Sequence, residues 1–141
     1  MTELEGERRH QRPESLRLRN LSASLTVDDL EASLRFYVDA LGFTVEERME
    51  EDGKLQGVML VAGSCRLGLS QDDFAKGRGR AKGMGFRLWA ETAQDLDAVA
   101  RRLAEHGVEA DGPKEEPWGG RTLTVVDPDG FKLTLSPAGE S

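Results

Sequence analysis

Few side chains in this sequence can move a proton or hold a metal. It has two histidines, His10 and His106, and one cysteine, Cys65. His10 stands in a charged N-terminal stretch. His106 falls at the end of a helical pattern just before Gly107, where an imidazole can meet the helix-end carbonyls. Cys65 lies in an apolar strand with no histidine in evident reach, which reads as a buried or edge-strand thiol and not a nucleophile. The carboxylates Glu46, Glu47 and Glu91 sit at strand ends, the ordinary place for solvated acids. Recognition chemistry is better served. Arg87 and Trp89 are two apart in a strand and so share one side of it. A guanidinium fork beside a large aromatic ring makes a site for a planar or anionic group, through charge-assisted hydrogen bonds and stacking.

Other strands repeat that alternation. Leu21, Ala23, Leu25 and Val27 take one side of their strand, leaving Ser22, Ser24 and Thr26 on the other. Leu67 and Leu69 leave Arg66, Gly68 and Ser70; Phe86, Leu88 and Ala90 leave Gly85, Arg87 and Trp89; Leu133 and Leu135 leave Lys132 and Thr134. The polar side is expected to form one concave wall of hydroxyls, two arginines, a lysine and a tryptophan. For Thr26, Ser70 and Lys132 the plain alternative is a sheet face turned to water. Trp118, after Pro117 and before two glycines, either lines the pocket or plugs a loop onto the core. Phe36 and Tyr37 fall on a helix face and read as core.

The elements that carry these residues form one unit used twice. A strand ending at Val27 runs into Asp28 and Asp29. A helical run follows, with Leu30, Leu34, Tyr37, Val38 and Leu41 at three- and four-residue spacing, and then Gly42. The second half repeats this with a strand through Phe86, Leu88 and Ala90, a cap at Thr92 followed by Asp95, a run through Leu96, Val99, Ala100 and Leu103, and Gly107. Three short strands follow each helix, at 43–49, 57–61 and 66–70, then at 108–110, 122–126 and 132–136. The unit is βαβββ. It predicts an α+β fold in which two tandem modules, about 20–75 and 83–137, form an open, curved mixed sheet around a central cleft. Residues 1–19 read as a mobile charged arm, 76–82 as a linker and 138–141 as a tail.

The 141 residues suit one domain, and the formal net charge of −7 argues against a nucleic-acid binder. No apolar run approaches the roughly 20 residues of a membrane span or resembles a secretory signal. The expectation is a cytoplasmic protein without membrane or nucleic-acid partners.

The segment Val27-Asp-Asp-Leu-Glu-Ala-Ser-Leu-Arg-Phe-Tyr37 followed by Leu41-Gly-Phe43 resembles the first-module signature of the vicinal oxygen chelate superfamily, which holds glyoxalases, extradiol dioxygenases and bleomycin-resistance proteins. Pro117-Trp-Gly-Gly-Arg121 followed by Val126-Asp-Pro-Asp-Gly130 is similar to its closing segment. The metal-dependent members hold a divalent ion with two histidines and two glutamates. The resemblance places those positions at Ser22, Gly68, Gly85 and Thr134, none of them a usual ligand. It therefore implies the metal-free, bleomycin-resistance-like branch: no cofactor, no catalytic residue, and a small organic molecule sequestered or sensed against Ser22, Ser24, Arg66, Gly68, Gly85, Arg87, Trp89, Trp118 and Thr134. Bleomycin-type ligands are cationic and would draw on Asp72, Asp73, Glu115 and Glu116, whereas the strand walls are basic, so a planar or anionic ligand is expected. The alternatives are a glyoxalase-like lyase or dioxygenase-like enzyme with a non-standard or absent metal site, and a dimeric interaction module. The resemblance also implies a homodimer.

Overall fold

A computed structural model describes residues 15–138. The expected arm lies mostly outside them. Module one runs β1 (Ala23–Val27), α1 (Leu30–Leu34, continued by a π-helical stretch Arg35–Ala40), β2 (Thr44–Glu51), β3 (Lys54–Ala62) and β4 (Cys65–Gln71). Module two runs β5 (Arg87–Thr92), α2 (Leu96–Glu105), β6 (Asp111–Glu115), β7 (Arg121–Val126) and β8 (Lys132–Pro137). The strands form two open four-stranded sheets, in the orders β1-β4-β3-β2 and β5-β8-β7-β6. In each, the first strand lies parallel to the last and the other pairs are antiparallel. The α+β architecture of two βαβββ modules is the one the repeat predicts.

Inward alternation holds within the strands, but Leu21, read as inward, stands ahead of β1 and is 86 % exposed. Leu25, Val27, Leu67 and Leu69 from sheet one join Leu123, Val125 and Leu133 from sheet two in one buried cluster with Leu30, Phe36 and Tyr37 of α1 and Leu96, Val99 and Leu103 of α2. Asp29 caps α1, its carboxylate accepting from the N–H groups of Glu31 and Ala32. The π-helical stretch then rotates the buried stripe. Ser33, Phe36, Tyr37 and Ala40 are buried, while Leu34, Val38 and Leu41, expected in the core, are only half-buried.

Three element readings need correction. The cap of α2 is Asp95, whose side chain accepts from the Asp97 N–H; Thr92 ends β5 and accepts from Gln94. The strand expected at 108–110 lies instead at Asp111–Glu115, an edge strand that takes in Gly112 and Pro113 with a register shift between Asp111 and Lys114. Cys65 opens an interior strand and is exposed, neither buried nor on an edge strand.

A polar seam joins the modules. Tyr37 donates to Asp127 Oδ2 at 2.7 Å in a buried site, and burial first, then that carboxylate, pushes the phenol pKa up. Asp127 Oδ1 accepts from the N–H groups of Asp129 and Phe131, closing the turn before β8. Asp129 in turn accepts from the Asp28 N–H at 2.9 Å. Lys82, at the end of the expected linker, has a side chain only 5 % exposed and pairs with both Asp28 and Asp72. The Lys82 hydrogen bond holds the Asp72 carboxyl below its usual range. Beside this seam Gly83 lies against Gly130 with backbone on backbone: a Cβ at Gly83 would stand 2.0 Å from the Gly130 carbonyl carbon.

Candidate functional site

Seven of the nine expected site residues fall into two groups, one on the outward face of each sheet. On sheet two, β5 and β8 run parallel with Arg87 beside Lys132 and Trp89 beside Thr134. Arg87 Nη1 donates to Thr134 Oγ1 at 3.2 Å, and Thr134 is linked at 2.8 Å to the Thr124 hydroxyl on β7. Thr134 is buried, so it serves as the base under the guanidinium and not as open wall. The Arg87 guanidinium lies 5.6 Å from the centre of the Trp89 ring, and Trp89 is 58 % exposed. This group is a fork held from below, with a free aromatic face beside it.

Two charged residues complete that face, and strand alternation alone had not picked them out. Thr122 donates to Glu116 Oε1 at 2.5 Å, folding this carboxylate back over β7. Lys114 pairs with Asp111 at 2.9 Å, which raises its pKa, while the Arg87 charge opposes that rise. The signal that could have found Lys114 is its place in a strand, hidden by the misplacement of β6. Glu116 reaches the face only through the loop that follows β6.

Sheet one gathers Ser22, Ser24, Arg66 and Gly68. Arg66 pairs across the sheet with Glu46 at 3.0 Å, and these two with Ser22 and Ser64 border a cavity of about 300 Å³. Ser24 lies beside Gly68 in the parallel pair of β1 and β4. Beside the polar Thr26, Ser70 and Glu47, the thioethers of Met49 on β2 and Met59 on β3 also lie on this face, and neither was expected there.

Gly85 stands apart from both groups, exposed with φ of +73° in the turn before β5, and so outside the strand in which alternation placed it. Trp118 is 71 % exposed at the tip of a tight turn closed by hydrogen bonds between Glu116, Gly119 and Gly120. It does not plug the core. His106 does what its position predicted, with Nδ1 2.9 Å from the Arg102 carbonyl oxygen.

The positions that the resemblance assigns to metal ligands supply two hydroxyls, Ser22 and Thr134, and two glycines, Gly68 and Gly85. Among the described residues no group of three or more histidine, cysteine, aspartate or glutamate side chains is placed to hold an ion. That donor set does not fit a divalent metal. What the two faces offer chemically is binding: a basic, aromatic wall and a softer wall of methionine, serine and glycine.

Comparison with known proteins agrees with this architecture. The family model described as the glyoxalase/bleomycin resistance protein/dioxygenase superfamily matches residues 20–135. YwkD of Bacillus subtilis (strain 168) is 33 % identical over 116 residues, covering 79 % of this chain and 91 % of YwkD. Among solved structures, TnmS3, an antibiotic-binding protein from Streptomyces sp. CB03234, is 28 % identical with a TM-score of 0.66, covering 88 % of this chain and 99 % of that one. A glyoxalase/bleomycin resistance protein from the same organism is 32 % identical with a TM-score of 0.64, covering 83 % and 98 %.

Proposed function

The chain belongs to the glyoxalase/bleomycin resistance protein/dioxygenase superfamily, and from that premise we propose that it binds a small planar or anionic organic molecule and sequesters or senses it without turnover. The observation that carries this reading is Arg87, fixed from below by Thr134 and flanked by the exposed ring of Trp89. A fork whose rotamer is already set loses less freedom on binding a carboxylate, sulfonate or phosphate. The antibiotic-binding structural relative supports a ligand-holding role. The outward faces carry no imidazole and no set of metal donors, and their carboxylates Glu46 and Glu116 are engaged by Arg66 and Thr122, which supports binding over turnover.

A homodimer in the cytoplasm belongs to the same reading. β1 and β5 each end their sheet with one side unpaired, and Leu21 and Met84 beside them are 86 % and 84 % exposed, a surface that a second copy would cover. Among the described residues no helix is long and apolar enough to cross a membrane.

The test is a thermal-shift screen over antibiotics, aromatic acids and thiol conjugates, followed by titration of the best ligand. Arg87→Ala should weaken binding about tenfold or more, as expected for a lost charge-assisted hydrogen bond, with little change in the melting midpoint. Mass spectrometry should recover the ligand intact at about one per cleft. Unchanged affinity in the variant, or a new product formed at substoichiometric protein, overturns the reading.

A further inference from the structure

The segment expected to be a plain linker, 76–82, is built onto the residues before it. Lys82 pairs with Asp28 and Asp72, and Arg80 lies 3.6 Å from Asp72. Asp72 also accepts from the Phe74 N–H at 3.0 Å, while Asp73 is turned back on its own loop and accepts from the Ala75 N–H at 2.9 Å. Phe74 stands in a left-handed conformation with φ of +59°, uncommon for a bulky residue. Its carbonyl accepts from the Gly77 N–H, and the Arg78 guanidinium lies 4.2 Å from the centre of its ring. An aromatic face and not a carboxylate therefore places Arg78. Among the described residues neither Arg78 nor Lys76 has an ion-pair partner, and both are exposed.

The backbone between these cations is curled. Gly77 and Gly79 have φ of +103° and +74°, whereas Arg78 and Arg80 are not left-handed. Alternation of that kind turns successive N–H groups towards one side and makes a concavity for an anion. Among the described residues the N–H groups of Arg78, Gly79 and Arg80 have no hydrogen-bond acceptor. Nothing lies within 4 Å of a Cβ built on Gly77 or Gly79, so the concavity is open.

We propose that residues 77–80 form a phosphate-binding loop for a small phosphorylated molecule, with the three N–H groups on its oxygens and Arg78 and Lys76 supplying the charge. A phosphate monoester is close to dianionic at neutral pH and offers three acceptor oxygens, which matches two unpaired cations and three free donors. Two unmatched cations on a chain of net charge −7 do not make the basic stripe that a nucleic acid needs. None of these residues belongs to either outward face, so this is a second site, independent of Arg87 and Trp89.

The probe is pyrophosphate, titrated at fixed ionic strength into the nitrogen-15-labelled full chain. The Arg78, Gly79 and Arg80 amide resonances should shift and saturate, while that of Arg87 stays in place. Gly79→Ala keeps every charge but sets a side chain on a left-handed backbone, and should weaken the probe about fivefold. Arg78→Gln should weaken it about tenfold, and Arg101→Gln, an exposed charge on α2, should leave it unchanged. If Arg78→Gln weakens the probe and Gly79→Ala does not, diffuse charge attracts it and the loop site is overturned. Shifts that grow linearly without saturation overturn it as well. Vesicles of phosphatidylserine and phosphatidylcholine distinguish a lipid headgroup from a free phosphate: if they sediment the chain and pyrophosphate does not release it, the loop reads a membrane surface and the proposal is overturned.

Discussion

In β1 and β5 the core-facing residues are Leu25 and Val27 in one module and Leu88 and Ala90 in the other, while the outward ones are Ser24 and Thr26 against Arg87 and Trp89. The last strands behave alike: Leu67 and Leu69 answer Leu133 and Leu135 inside, but Arg66 and Gly68 outside stand where Lys132 and Thr134 do. One side of the repeat is held to aliphatic residues by burial, and the other is free to become soft and methionine-lined in module one and basic and aromatic in module two. A duplicated scaffold thus yields an outward surface of two characters without any change of fold. The helices differ as well. α2 is a regular ten-residue helix, whereas α1 passes into a π-helical stretch that brings Phe36 and Tyr37 inward together. That offset is what lets the Tyr37 hydroxyl reach Asp127 of the other module.

The comparison breaks most visibly if the two halves are separate folding units. Leu69 and Leu123 are both fully buried, and Leu69→Ala and Leu123→Ala should each cost about 2–5 kcal/mol. Because both residues belong to one contiguous core, calorimetry should show a single transition lowered by either substitution. Two resolved transitions, each sensitive to only one of them, would make the modules independent. A smaller effect sharpens the same point at the seam. Tyr37→Phe leaves Asp127 Oδ2 without its donor and should cost about 1–3 kcal/mol in denaturant unfolding, again without splitting the transition.

The smallest effect concerns pH. Burial raises the Asp129 carboxyl above its ordinary value, the nearby charges of Asp127 and Asp28 adding to this against the Asp28 N–H and Lys82. The folded state therefore holds that proton more tightly than the unfolded chain does, so ionised Asp129 costs stability at neutral pH. The cost shrinks as pH falls through the raised folded value and is gone below 3.8. Asp129→Asn keeps an oxygen for the Asp28 N–H and should raise the melting midpoint at pH 7. The gain over wild type should fade on acidification; a gain that grows on acidification would mean the carboxyl is not raised.

Much of this architecture is visible in the amino-acid order because two-residue and 3.6-residue periods are imposed by burial, which acts on every core residue alike. The pairing of Arg87 with Trp89 was legible for that reason: two positions apart in a strand is one face. What was not legible depends on local exceptions to those periods. Register shifts in β2 between Val45 and Glu47 and between Met49 and Glu50 scramble its alternation, so Met49 could not be placed on the outward face. The π-helical stretch leaves Leu34 and Val38 half-buried and Ser33 in the core, while Phe36 is buried as read. Glycine and proline are uncommon inside strands, yet Gly112 and Pro113 lie in an edge strand, which places β6 and with it Lys114 beyond the expected 108–110. Asp95, not Thr92, caps α2 because β5 continues through Thr92 and uses it up.

The contact of Gly83 with Gly130 carries a consequence for how this molecule can change over generations. Exposed positions on the outward faces can change without touching the core, so those faces can drift one residue at a time. At Gly83 any side chain would have to occupy the space of the Gly130 carbonyl. Both residues belong to the second module, so that point fixes how the chain entering β5 lies against the turn before β8, and it stays closed to mutation while the outward faces diversify.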